Sequence, residues 1–259
     1  MIRQFLNPPN WFSAASLFCG LYAIMLAGGA NGDPAAFYQA GLFVFYAGLF
    51  DGLDGRVARL TGTGSAFGVQ LDSLIDVVSF GVAPALLAYF WRLHELGPVG
   101  VFGAFFFMLC GSFRLARFNC MADGKVHTFG PGSTITVTGG TLAALVMWQA
   151  GGGGGLELGA SELLLACSAM ALLMVSSIPY RTMKSLRKNV PTFAGVVIVA
   201  GAFVYMGIRY DISTVLVTFG SVAVLSGPLE LVLGYPARRR KLVRERRANV
   251  PVSRDDEPR

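Results

Sequence analysis

Long apolar segments constrain the fold of this chain more than any other feature of its sequence. Several of them, including 66–90 and 97–118, contain few charged side chains, and a helix of about 20 apolar residues is long enough to cross a bilayer. The chain is 54% hydrophobic and only 14% charged, which is too apolar for an ordinary soluble domain. The sequence therefore predicts an all-α protein, built as a polytopic bundle of transmembrane helices.

About eight membrane spans can be placed along the chain. Residues 1–235 then form one membrane-embedded domain, and residues 236–259 form a basic tail. No cleaved secretory signal is expected, because a strong basic leader is missing and Asn10 and Ser13 interrupt the first apolar stretch. Pro84 should kink the third span beyond the carboxylates described below. The expected spans cover residues 11–29, 36–58, 66–90, 97–118, 134–150, 160–179, 191–208 and 212–233.

Lysine and arginine residues lie almost entirely on one side of this arrangement. With the N-terminus inside, 19 of the 21 fall in cytoplasmic segments, and only Arg92 and Arg209 lie outside. The positive-inside rule therefore predicts a multi-pass protein of the cell (inner) membrane with both termini in the cytoplasm. The tail beyond Arg238 should be attracted to anionic membrane lipids. No nucleic-acid partner is expected, because the tail has no aromatic or fold signature of such binding.

Four aspartates lie in the region 51–76, which is otherwise apolar enough to enter a membrane. Ionisable side chains in such surroundings are costly and indicate a functional site. At about 100° per residue, the first of two helices carries two carboxylates, two small residues and a cation within about 80° of Asp51. The second carries two carboxylates in one narrow stripe with Gly68. The members of the first stripe are Asp51, Asp54, Gly55, Ala58 and Arg59, and those of the second are Gly68, Asp72 and Asp76.

Two antiparallel helices with these stripes facing each other would bring the four carboxylates together. Ionised carboxylates cannot crowd in this way without cations, and hard oxygen ligands suit Mg²⁺ or Mn²⁺. The alternative is structural, with Asp–Arg pairs holding two membrane helices together. The carboxylates outnumber Arg56 and Arg59, however, and such pairing needs no glycines. The pattern therefore favours a metal site at the cytoplasmic end of spans two and three.

The spacing Asp-x2-Asp-Gly-x2-Ala-Arg-x8-Gly-x3-Asp-x3-Asp across residues 51–76 resembles the signature of the CDP-alcohol phosphatidyltransferases. The segments 7–16, 113–119 and 174–181 are similar to those of bacterial phosphatidylserine synthases, and the resemblance covers roughly residues 5–190. It implies a membrane enzyme that transfers a phosphatidyl group from CDP-diacylglycerol to the hydroxyl of L-serine and releases CMP. It also implies a homodimer.

The resemblance also assigns roles to the two stripes. Asp51, Asp54 and Asp72 would coordinate divalent metal, two Mg²⁺ or Mn²⁺ ions, and Asp76 would serve both metal binding and catalysis. The residues expected to bind CDP-diacylglycerol are Gly55, Ala58 and Gly68, which leave room for the nucleotide, Arg59, which pairs with a phosphate, and Asn10. For Asn10 an equally good role is capping the first span.

The acceptor side of the site is expected at the end of span four. Arg114 and Arg117, three residues apart, could bind an amino-acid carboxylate or a diphosphate, or could simply anchor the helix end. The resemblance adds Asn119 to the serine-binding set. The following loop, 129–134, departs from the G-x-P-x-P pattern of the serine synthases and retains only Pro131.

Two other functions remain open at this level. One is the same transfer to another acceptor, such as glycerol 3-phosphate or an inositol phosphate. A phosphorylated acceptor would, however, require more cationic side chains in its pocket than Arg114 and Arg117 supply. The other is a transporter or lipid-binding membrane protein without catalysis. Against it, the intramembrane charge is concentrated at one cytoplasmic site and does not follow a path across the bilayer.

Overall fold

A computed structural model describes residues 8–62, 65–120, 129–155, 157–181 and 211–229 as a bundle of helices. Within these ranges two short 3₁₀ turns, Leu93–Leu96 and Gly153–Gly155, lie between helices, and a π-helical segment, Val77–Val82, joins the helix Ala66–Asp76 to the helix Ala83–Trp91. The helices are α1 (Pro8–Gly28), α2 (Pro34–Thr61), α3 (Ala66–Asp76), α4 (Ala83–Trp91), α5 (Pro98–Cys120), α6 (Ile135–Ala150), α7 (Ala160–Val175) and α8 (Ile212–Leu229).

The helical membrane architecture predicted from the apolar segments is present. Within the described residues four helices are long and apolar enough to cross a membrane, and α6 and α7 are shorter apolar helices. The expected span 36–58, which lies within α2, is not among these four, and the expected span 191–208 lies outside the described residues, so the total of eight spans is not confirmed. The four long apolar helices are Pro9–Gly28, Ala66–Trp91, Pro98–Cys120 and Ile212–Leu229.

One short antiparallel strand pair accompanies the helices. Strand β1 (Phe129–Pro131) pairs with β2 (Pro179–Arg181), with Gly130 opposite Tyr180. The pair joins the chain before α6 to the chain after α7. The Tyr180 hydroxyl donates to the Val224 carbonyl at 2.8 Å, which ties this pair to α8.

Capping residues fix the ends of the two helices that carry the carboxylates. Asp33 caps α2 by accepting the Ala35 N–H at 3.0 Å, and Pro34 occupies the first turn. The helix ends at Gly62, whose φ of 66° lies in the left-handed region that glycine adopts without penalty. Ser65 then caps α3 by accepting the Gly68 N–H at 3.0 Å. Gly62 and Ser65 thus end one carboxylate-bearing helix and begin the other only three residues apart, and α1 packs against both helices.

The π-helical segment begins immediately after Asp76. Pro84 has no N–H to donate to the Phe80 carbonyl four residues earlier. The N–H of the preceding residue, Ala83, donates to the Val78 carbonyl five residues back, which is the hydrogen bond of a π-helix. The sequence predicted a kink one to two turns beyond Asp76. In the structure the change in helical hydrogen bonding starts at Val77, directly beside that carboxylate.

Close packing from two sides holds the π-helical segment in place. From α1, the Ser16 carbonyl accepts the Ser79 hydroxyl at 3.2 Å, and Gly20 lies against Ser79 with no room for a side chain. From α6, Gly139 lies against the backbone of Phe80, whose carbonyl receives no hydrogen bond from Pro84. Small residues of this kind let membrane helices approach closely. By packing against the π-helical segment that follows Asp76, α1 and α6 therefore position this carboxylate.

We predict that Gly139→Ala destabilises the protein while the neighbouring Gly140→Ala does not. A Cβ at Gly139 would collide with the Phe80 carbonyl, whereas one at Gly140 would meet only a ring carbon of Phe45 at 3.9 Å. Overpacking of this kind costs about 1–3 kcal/mol. Thermal unfolding in detergent should show a Tm lowered by several degrees for Gly139→Ala only. Equal Tm values for the two variants would contradict the close approach of α6 to the π-helical segment.

Candidate active site

Three carboxylates from α2 and α3 converge at one end of the bundle. One oxygen from each of Asp51, Asp72 and Asp76 lies within 4.8 Å of the others. Asp51 comes from the C-terminal half of α2, and Asp72 and Asp76 are one turn apart on α3. The structure thus brings together residues from both predicted stripes.

The cluster has the properties of a cation site. Asp76 is only 9% exposed, and its Oδ1 has no hydrogen-bond partner among the described residues. Three ionised carboxylates at this separation repel one another, and repulsion grows where water is excluded. A hard divalent cation would satisfy the unpaired oxygen and remove the repulsion. The residues present therefore fit a divalent metal ion.

Asp54 has a partner of its own. Its Oδ2 accepts the Ser13 hydroxyl at 2.7 Å, and both side chains are buried between α1 and α2. Asp54 is not part of the cluster formed by the other three aspartates. In the sequence, Ser13 is only a polar residue in an apolar span. Only the packing of α1 against α2 shows that it orients a carboxylate.

A cavity of about 120 Å³ lies beside the carboxylates. Asp54 and Asp72 form part of its wall, and α1 contributes Ser13. Four of the residues predicted to bind the nucleotide also line it, namely Asn10, Gly55, Ala58 and Gly68.

Arg59, the fifth residue of that predicted set, is exposed and does not line the cavity. Its guanidinium lies 3.6 Å from the position that a Cβ on Gly55 would take. The cation is therefore held beside one wall of the cavity, at the level of Gly55.

The glycines of this cavity are not required by the packing of the protein itself. A Cβ at Gly68 would lie 3.4 Å from Ser65 Oγ and 3.6 Å from Asn10 Oδ1, which are ordinary contact distances. Gly55 is similarly uncrowded. Gly139, in contrast, has no room for any side chain. A side chain at Gly55 or Gly68 would instead extend into the open space of the cavity. Glycine at such positions is expected where a ligand approaches the backbone closely.

The two arginines expected on the acceptor side lie in different surroundings. Arg114 is half-buried, is close enough to Asp76 for their charges to interact, and stacks over the Phe118 ring at 5.3 Å. Its Nε has no hydrogen-bond partner among the described residues. Arg117 is exposed. Of the two arginines, only Arg114 is half-buried with its charge within range of Asp76, whereas Arg117 faces solvent.

Asn119 links α5 to the helix that carries two of the carboxylates. Its amide Nδ2 donates to Ser73 Oγ at 3.0 Å, and Ser73 follows Asp72 directly. The predicted acceptor residue therefore lies at the site, and one donor of its amide is already used. Ser73 was not anticipated from the sequence, because a single serine beside Asp72 carries no signal that it contacts another helix.

The loop that departs from the family pattern is fixed by its backbone. The Gly132 N–H donates to the Ile178 carbonyl at 2.9 Å, and the Ser133 N–H donates to the Leu173 carbonyl at 3.1 Å. Gly132 has a φ of 75°, and a Cβ there would collide with the Met174 carbonyl. The loop thus needs glycine at this position to lie against the end of α7.

Comparison with known proteins agrees with the family resemblance seen in the sequence. A family model described as CDP-alcohol phosphatidyltransferase matches residues 6–178. A Helicobacter pylori protein named CDP-diacylglycerol--serine O-phosphatidyltransferase is 37% identical over 194 residues, covering 73% of this chain and 78% of that protein. The archaetidylserine synthase of Methanothermobacter thermautotrophicus is 33% identical over 69% of this chain and 71% of its own length. A Saccharomyces cerevisiae protein with the same name as the first is 41% identical over 46% of this chain and 43% of its own length.

We predict that Ser13→Ala weakens divalent-ion binding and that Ser16→Ala does not. Ser13 orients Asp54, whereas the Ser16 hydroxyl, one turn away and equally buried, has no partner among the described residues. Loss of such an orienting partner typically lowers metal affinity by about tenfold or more. The measurement is the rise in Tm as Mn²⁺ is titrated into the ion-free protein. Ser13→Thr, which keeps the hydroxyl, should restore the affinity. An unchanged Mn²⁺ response in Ser13→Ala would show that Asp54 does not depend on this hydrogen bond.

Proposed function

The chain belongs to the CDP-alcohol phosphatidyltransferase family, and we propose that it transfers the phosphatidyl group of CDP-diacylglycerol to the hydroxyl of L-serine, releasing CMP. The observation that carries this proposal is the cluster of Asp51, Asp72 and Asp76 beside a cavity lined by Gly55 and Gly68. Serine is the acceptor named for the Helicobacter pylori and yeast relatives, and archaetidylserine is the product named for the archaeal one. These names favour serine over a phosphorylated acceptor.

The carboxylates supply the metal site of the proposed reaction. Asp51, Asp72 and Asp76 would hold the ions, two Mg²⁺ or Mn²⁺, with Asp54 as a fourth ligand oriented by Ser13. Metal ions in such a site stabilise the negative charge of the diphosphate and of the departing CMP. Asp76 is the least exposed of the three clustered carboxylates, and one of its oxygens lacks a partner among the described residues.

The cavity beside the carboxylates suits the nucleotide part of CDP-diacylglycerol. Gly55 and Gly68 leave backbone exposed on α2 and α3, so a flat or bulky group can lie against both helices. Asn10 adds an amide from the start of α1. Arg59, on the Gly55 side, is within reach of a phosphate at the edge of the cavity.

Asp76 is the general base in this proposal. The serine hydroxyl oxygen attacks the phosphorus that carries the diacylglycerol, and its proton passes to the Asp76 carboxylate. A new P–O bond to serine forms while the P–O bond to CMP breaks. Arg114 would hold the serine carboxylate, because its charge is within range of Asp76 and its Nε has no hydrogen-bond partner among the described residues. Asn119 and Ser73 border this region.

The proposed location is the cell (inner) membrane, with the site and both termini facing the cytoplasm, where the nucleotide lipid and serine are available. The apolar helices support membrane insertion, and the distribution of lysine and arginine supports the orientation. A homodimer is proposed from the family alone. Transport without catalysis is disfavoured because the clustered carboxylates lie at one end of the bundle, not along a path through it.

We predict that the purified protein releases CMP from CDP-diacylglycerol when L-serine and Mn²⁺ are present. Glycerol 3-phosphate, inositol phosphate and water should give far less CMP. Asp76→Asn should lower the rate by at least about a hundredfold, because general-base catalysis typically contributes that much. Binding of CDP-diacylglycerol should change little.

The same assay contains the outcomes that would reject the proposal. CMP release with glycerol 3-phosphate but not with serine would exclude serine as the acceptor while leaving the family chemistry in place. Full activity of the unmodified protein in excess chelator, or of a variant with all four aspartates replaced by asparagine, would exclude the carboxylate site altogether.

The two arginines of α5 give a matched test of acceptor binding. Arg114→Ala should raise the serine KM by about tenfold to a hundredfold, the value of one charge-assisted hydrogen bond, with little change in the KM for CDP-diacylglycerol. Arg117→Ala should change neither, because Arg117 is exposed. A rise in the CDP-diacylglycerol KM alone on replacing Arg114 would assign this arginine to the diphosphate. Equal effects of the two substitutions would contradict the separation of the pair.

A further inference from the structure

A second cavity, of about 940 Å³, lies at the opposite end of the bundle from the carboxylates. Its wall is formed by the ends of α1, α4 and α6 and by the turn between α1 and α2. Trp91, at the end of α4, is separated from Asp76 by 15 residues of continuous helix, or about 22 Å. The two cavities are therefore separate sites, and nothing in the proposed reaction uses the second.

Charged side chains of both signs line this cavity. Arg92 Nη1 lies 3.4 Å from Glu95 Oε1, and Arg92 Nη2 lies 3.9 Å from Glu157 Oε2. One guanidinium thus stands between two carboxylates, and the three groups together carry a formal charge of about −1 at neutral pH. The Glu95 and Glu157 side chains are partly or largely exposed, so each keeps lone pairs available for another cation.

Aromatic rings form the neighbouring wall. Phe37 and Trp91 pack edge to face with ring centroids 5.0 Å apart, and Tyr89 lines the same cavity. The Arg92 guanidinium lies 5.9 Å from the Trp91 ring centroid. The Trp91 indole N–H is buried and has no acceptor among the described residues. Aromatic faces combined with carboxylates bind ammonium groups, and a guanidinium binds phosphate.

The cavity lies at the depth of lipid headgroups. The apolar helix Ala66–Trp91 ends at its edge, and the next apolar helix begins at Pro98. Arg92 and Glu95 lie in the turn between these two helices, where a bilayer changes from hydrocarbon to polar headgroups. A phospholipid in the adjacent leaflet can therefore reach the cavity by lateral diffusion. This position favours a lipid over a water-soluble zwitterion.

We propose that this cavity binds the headgroup of a zwitterionic phospholipid carrying a phosphate and a primary ammonium group. Glu95 and Glu157 receive the ammonium group against the aromatic wall, and Arg92 holds the phosphate. The site requires both charges in one ligand, because an anionic headgroup alone would face two carboxylates. It is a lipid-binding site separate from catalysis.

The test is native mass spectrometry of the full protein released from nanodiscs with equal amounts of phosphatidylethanolamine and phosphatidylglycerol. We expect the unmodified protein to retain the ethanolamine lipid preferentially. Glu95→Gln and Arg92→Gln should each lower that preference by about twofold to fivefold, the range for partly exposed charged pairs. Glu162→Gln is the matched control, since Glu162 is an exposed carboxylate at the start of α7 outside this cavity.

Each outcome of the experiment decides for or against the site. Retention that is equal for the two lipids, or that falls equally in Glu95→Gln and Glu162→Gln, would overturn the proposal and leave only a general aromatic boundary of the membrane. Free phosphoethanolamine can also be added at concentrations near those of the lipid. If it abolishes the lipid preference, the ligand is a water-soluble zwitterion and not a membrane lipid. Tm and CMP release should stay unchanged in all three variants, which separates this site from folding and from the proposed reaction.

Discussion

The electrostatic repulsion among buried carboxylates is the constraint on which the rest of this structure depends. Asp51, Asp72 and Asp76 bring their oxygens within 4.8 Å of one another, and such a group is stable only if the helices that carry it are held together and a cation is available. The helices are held by contacts outside the carboxylate cluster itself. Gly62 ends α2 and Ser65 caps α3, and α1 and α6 pack against the π-helical segment that follows Asp76.

Glycine serves two different purposes in the bundle, and the structure separates them. Gly20 and Gly139 lie where another backbone comes so close that no side chain fits, so they permit the helix packing that positions Asp76. Gly55 and Gly68 have room for a side chain and face an open cavity beside the carboxylates. The first pair is explained by packing alone. For the second pair packing gives no reason, and the proposed function assigns them to binding of the nucleotide lipid.

The two ends of the bundle present different chemistry to the membrane surfaces. One end carries concentrated negative charge with a half-buried arginine, as a site for metal-dependent phosphoryl chemistry requires. The other end carries Arg92 between two carboxylates against aromatic rings, which is suited to recognition of a zwitterion without chemistry. Since about 22 Å of helix separates Asp76 from Trp91, lipid binding at one end leaves the other accessible.

The sequence by itself determined the helical membrane class, the position of the carboxylates and the family. Spacing fixes the angle of each residue around its own helix, so the stripes of Asp51 and of Asp72 and Asp76 could be drawn without a structure. Only the tertiary structure decided which polar side chains meet across helices. It paired Ser13 with Asp54 and Asn119 with Ser73, and it placed Arg114 beside Asp76 while leaving Arg117 exposed. Such contacts depend on how helices far apart in the chain pack together, and helical periodicity carries no information about that packing.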